Sequence, residues 1–245
     1  MSSGVELKFC LRCRMSRKVC YCEWIEPFES GPLIATLVHP KENRKRIGTN
    51  RIVKLTISNS LRFEGTGEML DHNGEIERLL KSPAIYPTVL YPGKNAVNID
   101  TDPSLGATGR ALQTTGRRLL VFVIDATWDL AQQMLHRSEK LKALPQLMFE
   151  PQLPSNYRIR RQPHPVCLST VEAVYALLSR LDATGRYPVA PITKGALSGQ
   201  GQHAHLLTVF NLMVERQLNY QRLSRYSSRQ QSELAPASEP HHPTR

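Results

Sequence analysis

Four cysteines crowd into the first 22 residues as Cys10, Cys13, Cys20 and Cys22, with the spacing C-x2-C-x6-C-x-C. Thiolates are soft ligands, and four of them suit tetrahedral zinc in a closed, structural site. A C-x2-C pair lets one tight turn offer two sulfurs to the same ion, and the interleaved Arg12, Arg14, Arg17 and Lys18 offset the charge of a tetrathiolate. The same four ligands would also hold an iron–sulfur cluster. A closed site keeps no open coordination position, so the expected role is structural. A thiol–disulfide role lacks the βαβ surroundings it would need. Cys167 lies far from this group and reads as a small apolar residue.

Three further segments carry groups that meet ligands. Asp125 ends the apolar run RLLVFVID and is followed by Ala126, Thr127 and Trp128. In open α/β sheets, ligands gather beyond the carboxyl ends of strands, where helix N-termini also point. An Asp at that place also suits a plain N-cap, and Trp128 suits core as well as a stacking platform. The segment LPSNYRIRRQPHPVCLSTVEAVYALL joins a basic loop to a helix start. Arg158, Arg160 and Arg161 can grip a carboxylate or phosphate by forked hydrogen bonds. Ser169 and Thr170 either cap the helix or turn hydroxyls toward a ligand, with Glu172 as the capping-box partner. In HPKENRKRIGTNR, the cations Lys41, Arg44, Lys45, Arg46 and Arg51 suit RNA-backbone contacts or a solvated basic loop, and His39 alone says little about acid–base work.

These groups need a scaffold, and the chain alternates strand and helix patterns. LIATLVH has strand length and composition, residues 83–90 read as a strand, and Arg118–Asp125 is apolar throughout, as a strand covered on both faces would be. Another short strand fits 147–149. Apolar residues recur at helical spacing over 50–61, 76–80, the stretch opening at Ala126, 169–181 and 205–223. Residues 94–116 read as loop. The alternation points to α/β with a largely parallel sheet. The expected organisation is a zinc knuckle over 1–30, a catalytic domain over 31–226 and a polar, unstructured tail over 227–245.

The whole chain has 245 residues, enough for one sizeable core, with 32 Lys+Arg against 21 Asp+Glu and a formal charge of +11. Such an excess favours a polyanion as partner through counterion release. No apolar run approaches the ~18 residues that span a bilayer, and the first residues lack the apolar core of a secretion signal. A cytoplasmic protein without a membrane partner is expected.

Taken in order, the pieces resemble the DTW-domain family of tRNA-uridine aminocarboxypropyltransferases. They are the cysteine module, His39-Pro40-Lys41-Glu42 with Gly48-Thr49-Asn50-Arg51, Leu90-Tyr91-Pro92-Gly93, Asp125-Ala126-Thr127-Trp128, Tyr157-Arg158-Ile159-Arg160 and Ser169-Thr170-Val171-Glu172-Ala173. The family commonly has glycine where Ala126 stands, a difference that matters if the position needs positive φ. The resemblance implies a SPOUT-related α/β sheet with a C-terminal knot. It implies S-adenosylmethionine as co-substrate, zinc in the knuckle, and tRNA as partner. The implied reaction moves the 3-amino-3-carboxypropyl group to N3 of a uridine and releases methylthioadenosine. Asp125 would then be the base or orient the uracil. Arg158 or Arg161 would hold the methionyl carboxylate, and Tyr91, Pro92, Thr127, Trp128, Ser169, Thr170 and Glu172 would line the cofactor pocket. A SPOUT-type methyltransferase and a non-catalytic zinc-ribbon RNA binder are the alternatives. Whether the protein dimerises, as SPOUT relatives often do, or acts as a monomer stays open.

Overall fold

A computed structural model describes residues 8–102, 108, 111–112, 114–160, 164, 166–183 and 201–233, with 225–233 by backbone alone. Six strands, β1 Leu33–Val38, β2 Leu61–Glu64, β3 Ile85–Leu90, β4 Val97–Asn98, β5 Arg118–Asp125 and β6 Gln146–Met148, form one sheet. Their order is β2-β1-β5-β3-β6-β4, and every neighbouring pair is parallel. β5 lies between β1 and β3, which explains its unbroken apolar sequence: both of its faces are covered. Side chains alternate along a strand. Leu119, Val121 and Val123 therefore point into one buried cluster, and Leu120 and Phe122 into the other.

The helices are α1 Pro40–Asn43, α2 Asn50–Thr56, α3 Gly67–Asp71, α4 Gly74–Lys81, α5 Trp128–His136, α6 Glu139–Lys142, α7 Thr170–Ala183 and α8 Ala204–Glu233. On one face of the sheet, α2, α7 and α8 contribute Ile52, Val53, Val174, Leu177, Val209 and Phe210. On the other, α3 to α6 contribute Leu70, Ile76, Met134, Leu135 and Leu141. The cysteine module has no separate core. Its Cys13, Met15, Val19 and Tyr21 are buried in the same cluster as α2, α7 and α8. Arg216 of α8 clasps it, donating to the Lys18 carbonyl at 3.1 Å and lying over the Trp24 ring at 4.5 Å.

Several boundaries differ from the sequence expectation. The helix expected over 50–61 stops at Thr56, and Leu61 opens β2 instead. The cause is local: Asn59 bonds both the N–H and the carbonyl of Ser30, at 3.1 and 2.8 Å, and ties down a turn that competes with the helix. The helix after Asp125 breaks at Ser138, whose Oγ accepts the Leu141 N–H at 3.0 Å and donates to Asp71 at 2.5 Å. The stretch expected to be loop over 94–116 contains the edge strand β4. The helix expected over 205–223 runs on through the first residues of the expected unstructured tail, to Glu233. Residues 234–245 lie outside the described residues, as do 184–200, through which the implied C-terminal knot would have to be traced. Among the described residues no helix is long and apolar enough to cross a membrane.

Candidate active site

The parallel sheet brings the carboxyl ends of β1, β3 and β5 to one edge, and Asp125 is the last residue of β5. Its main chain accepts the N–H of His39, the residue after β1, at 3.1 Å. Its carboxylate accepts from the Thr170 hydroxyl at 2.6 Å and from the Asn50 side-chain amide. Thr170 is the first residue of α7 and Asn50 the first of α2, so two helix N-termini converge on one carboxylate. Their N-terminal dipoles favour negative charge there. Burial nonetheless pushes the Asp125 carboxyl above the usual range, with Thr170 and Asn50 acting to lower it. Behind Asn50, Arg62 of β2 donates to its Oδ1 at 3.3 Å and to Asn43 at 2.6 Å, which fixes the amide's orientation.

Asp125 opens into a cleft of about 420 Å3 walled by Gly48 and Thr49, the 126–129 turn, Tyr157, Arg160 and the 167–170 helix entry. Trp128 stands 49% exposed at its rim, its Nε1 donating to Cys167 Sγ at 3.1 Å. Tyr91, just beyond β3, packs against the Trp128 ring at 6.3 Å. The cleft has one polar wall and one aromatic wall, within the size range of sites for small organic ligands. Ala126 needs no special backbone, since among the described residues the one non-glycine with positive φ is Arg14.

The cationic group of the cleft is Arg160. Its guanidinium forks onto Glu42, at 2.8 and 3.0 Å, and Lys45 reaches the same carboxylate at 2.7 Å. Burial would push the Glu42 carboxyl up, but Arg160 and Lys45 hold it below the usual carboxylate range. Glu42 is fully enclosed while Arg160 remains 30% exposed, so the pair aims a fixed cation into the cleft. Tyr157 is buried beneath it, packed at a tilt against Phe210 with ring centroids 5.7 Å apart and donating to the Ile47 carbonyl.

The four cysteine sulfurs all lie within 4.8 Å of one another, with Cys10–Cys22 and Cys13–Cys20 each at 3.7 Å. Four thiolates ~2.3 Å from a tetrahedral ion stand about 3.8 Å apart, so the group fits zinc. Burial pushes the Cys13 thiol up to about 11. Burial opposes ionisation at Cys10 too, but hydrogen bonds from the Cys13 and Arg12 backbone bring it down to about 6.

The expected site residues fall into three groups. Asp125, Thr127, Trp128, Ser169 and Thr170 line the cleft, with Tyr91 behind Trp128. Arg158 and Pro92 are exposed and do not line it, and Arg161 lies outside the described residues. Glu172 is consumed as a structural acceptor. It takes the Ser169 N–H and hydroxyl at 2.8 and 2.6 Å, Ser155 at 2.7 Å and the Asn156 N–H at 2.7 Å. Among the expected RNA contacts, Lys41, Arg44 and Arg46 are exposed and Lys45 pairs with Glu42. Arg51 corrects the expectation: it is buried, and its guanidinium staples the loop by donating to the carbonyls of Asn43, Lys45 and Arg46 at 2.8, 2.7 and 3.0 Å. Asn50, Thr49 and Glu42 were given no site role from the sequence, and Arg160, read there as one of three anion-gripping arginines, was not expected to be held by Glu42. The polar run GTN before a helix was the available signal for the first two.

The DTW domain model matches residues 7–218 of this chain. A tRNA-uridine aminocarboxypropyltransferase 2 of Macaca fascicularis is 24% identical over 175 residues, 71% of this chain and 56% of that protein. The Drosophila melanogaster protein of the same name is 26% identical over 180 residues, covering 71% and 66%. A tRNA-uridine aminocarboxypropyltransferase A of Arabidopsis thaliana is 23% identical over 196 residues, covering 73% and 74%. The chain thus spans little more than half the length of the Macaca relative. No solved structure matches. With a family match running from the cysteine module into α8, the chain belongs to the DTW domain family.

Proposed function

We propose that this protein transfers the 3-amino-3-carboxypropyl group of S-adenosylmethionine to N3 of a tRNA uridine. The observation that carries the proposal is Asp125: a buried carboxylate, held by Asn50 and Thr170, opening into a cleft with a cation and an aromatic wall. The relatives' names supply the substrate class. When bound, S-adenosylmethionine supplies the transferred group on a sulfonium that leaves as the neutral thioether methylthioadenosine.

The residues of the cleft fit that co-substrate. Arg160 is a fixed partner for its carboxylate, and the Trp128 face suits a sulfonium cation. Asp125 faces the space left for the uracil. Uridine N3–H is a weak acid, so the raised affinity of Asp125 for a proton matches it to the task of base. As the N3–carbon bond forms and the carbon–sulfur bond breaks, the N3 proton passes to Asp125 and the bonding pair stays on sulfur. Holding both reactants in line contributes up to ~7–11 kcal/mol in ideal systems. Cys10, Cys13, Cys20 and Cys22 would hold zinc with four thiolates, where it would serve folding rather than the transfer.

The test is incubation with S-adenosylmethionine and bulk tRNA, followed by mass analysis of nucleosides and small products. A uridine bearing one aminocarboxypropyl group, with methylthioadenosine released, is expected; S-adenosylhomocysteine would mean methyl transfer instead. Asp125→Asn should retain S-adenosylmethionine binding and lose at least about a hundredfold in rate. A full-rate Asp125→Asn enzyme would remove Asp125 from the chemistry.

A further inference from the structure

A short stretch of chain separates the cleft from a second concavity. Gly48 and Thr49 line the cleft, while Arg46 and Ile47 line a groove of about 720 Å3 between the cysteine module and α8. Its walls present Lys8, Phe9 and Lys18 from the module and Gln217 and Tyr220 from α8. Among the described residues, no carboxylate lines it. Among the described residues, none of Lys8, Lys18 and Arg46 has an ion-pair partner. Two large aromatic rings stand in it partly exposed, Phe9 at 36% and Tyr220 at 37%, and the Arg46 guanidinium lies over the Phe9 ring at 3.6 Å.

Unpaired cations beside exposed rings are the requirements of single-stranded nucleic acid, with phosphates to the cations and bases to the ring and guanidinium planes. Duplex RNA would use the cations and leave the rings idle. We infer that this groove binds the unpaired nucleotides flanking the uridine that enters the cleft, stacking a base on the Phe9–Arg46 pair or on Tyr220. This rests on the transfer reading only for what occupies the cleft. Arg46 and Thr49 are three peptide steps apart, at most about 11 Å between Cα atoms, so the groove is within reach of near neighbours of that uridine. Tyr157, which lines the cleft, donates to the Ile47 carbonyl and joins the two walls. The groove thereby selects uridines whose neighbours are free to unstack, which favours loops over stems.

The experiment measures a fluorescein-labelled uridine octanucleotide against the zinc-loaded full chain by anisotropy, with S-adenosylmethionine affinity by calorimetry as control. Tyr220→Ala and Phe9→Ala should each weaken the octamer about 5- to 150-fold. Lys18→Gln should flatten the slope of log affinity against log salt by about 0.7. S-adenosylmethionine affinity should not move, and KM for tRNA should rise with octamer Kd. Phe9 adjoins a zinc ligand, so Tyr220→Ala decides if Phe9→Ala loses metal. Wild-type octamer affinity in Tyr220→Ala and Lys18→Gln overturns the inference, even if uridine is modified normally. Octamer binding that these variants weaken, in a protein that never forms the aminocarboxypropyl product, upholds the groove and overturns the transfer reading alone.

Discussion

Arg160→Met removes the guanidinium that contacts both oxygens of Glu42, at 2.8 and 3.0 Å. The Glu42 side chain is 2% exposed, so the variant leaves a carboxylate shut away with Lys45 alone, itself 41% exposed. Breaking a buried pair from one side costs about 3–5 kcal/mol, and the remaining lysine places this case near 3. Glu42→Gln differs. It leaves cations that water reaches, Arg160 at 30% and Lys45 at 41% exposure, and costs about 1–2 kcal/mol. At about 2–4 °C per kcal/mol for a chain of this length, Tm falls by about 6–12 °C for Arg160→Met and by about 2–8 °C for Glu42→Gln. Urea and thermal unfolding at pH 7 with zinc present measure both. Acid supplies an independent check. Because the folded Glu42 carboxyl is held below its usual range, its contribution in the wild type is present above the unfolded pKa and lost as pH falls through the folded one. In Arg160→Met burial is no longer offset, the folded pKa rises, and protonation relieves the penalty, so the gap to wild type narrows toward about pH 5. Equal losses in the two variants at pH 7, or a gap that widens with acid, would refute the reasoning.

Zinc uptake by the cysteine group must strip the proton from Cys13, whose thiol is pushed up to about 11 by burial. Apparent zinc affinity, read by chelator competition between pH 6 and 8, should therefore rise about tenfold per unit increase in pH for each proton released. Thr170→Val removes a hydrogen bond that lowers the Asp125 carboxyl, so burial pushes it higher still. If the ionised carboxylate is the working form, the acid limb of kcat/KM moves to higher pH, and an unmoved limb would separate Asp125 from proton transfer.

What was readable in the sequence followed from periodicity and local chemistry. β5 announced itself because a strand covered on both faces is apolar at every position, and Ser169 with Glu172 announced a helix start, where the Glu172 carboxylate accepts both the N–H and the hydroxyl of Ser169. The four cysteines were readable because their ligand geometry is nearly local. Arg160 was harder. Nothing in RIRR tells which arginine turns inward, since that depends on Glu42, 118 residues away. Arg51 misled for the same reason: a basic loop has the same composition whether its cations face phosphate or its own carbonyls. β2 was hidden because Val53, Ile57 and Leu61 keep helical spacing past Thr56, where the helix ends and the Asn59 turn takes over.

The strand order has a consequence for how this chain is made. β1 is hydrogen-bonded to β5 along its whole length, from Leu33–Leu120 to Val38–Asp125, and β3 depends on β5 in the same way. The central strand is therefore synthesised last of the three. At ~5–20 residues per second, β1 emerges on the order of 4–17 s before its partner exists. Through that interval LIATLV is an apolar strand with the edge toward β5 unpaired, open to pairing with another chain. Parallel pairing at such sequence separation is also slow to form. Asp125, the last residue of the strand that joins β1 to β3, is also the residue that opens the cleft, so the centre of the sheet and this carboxylate are put in place together.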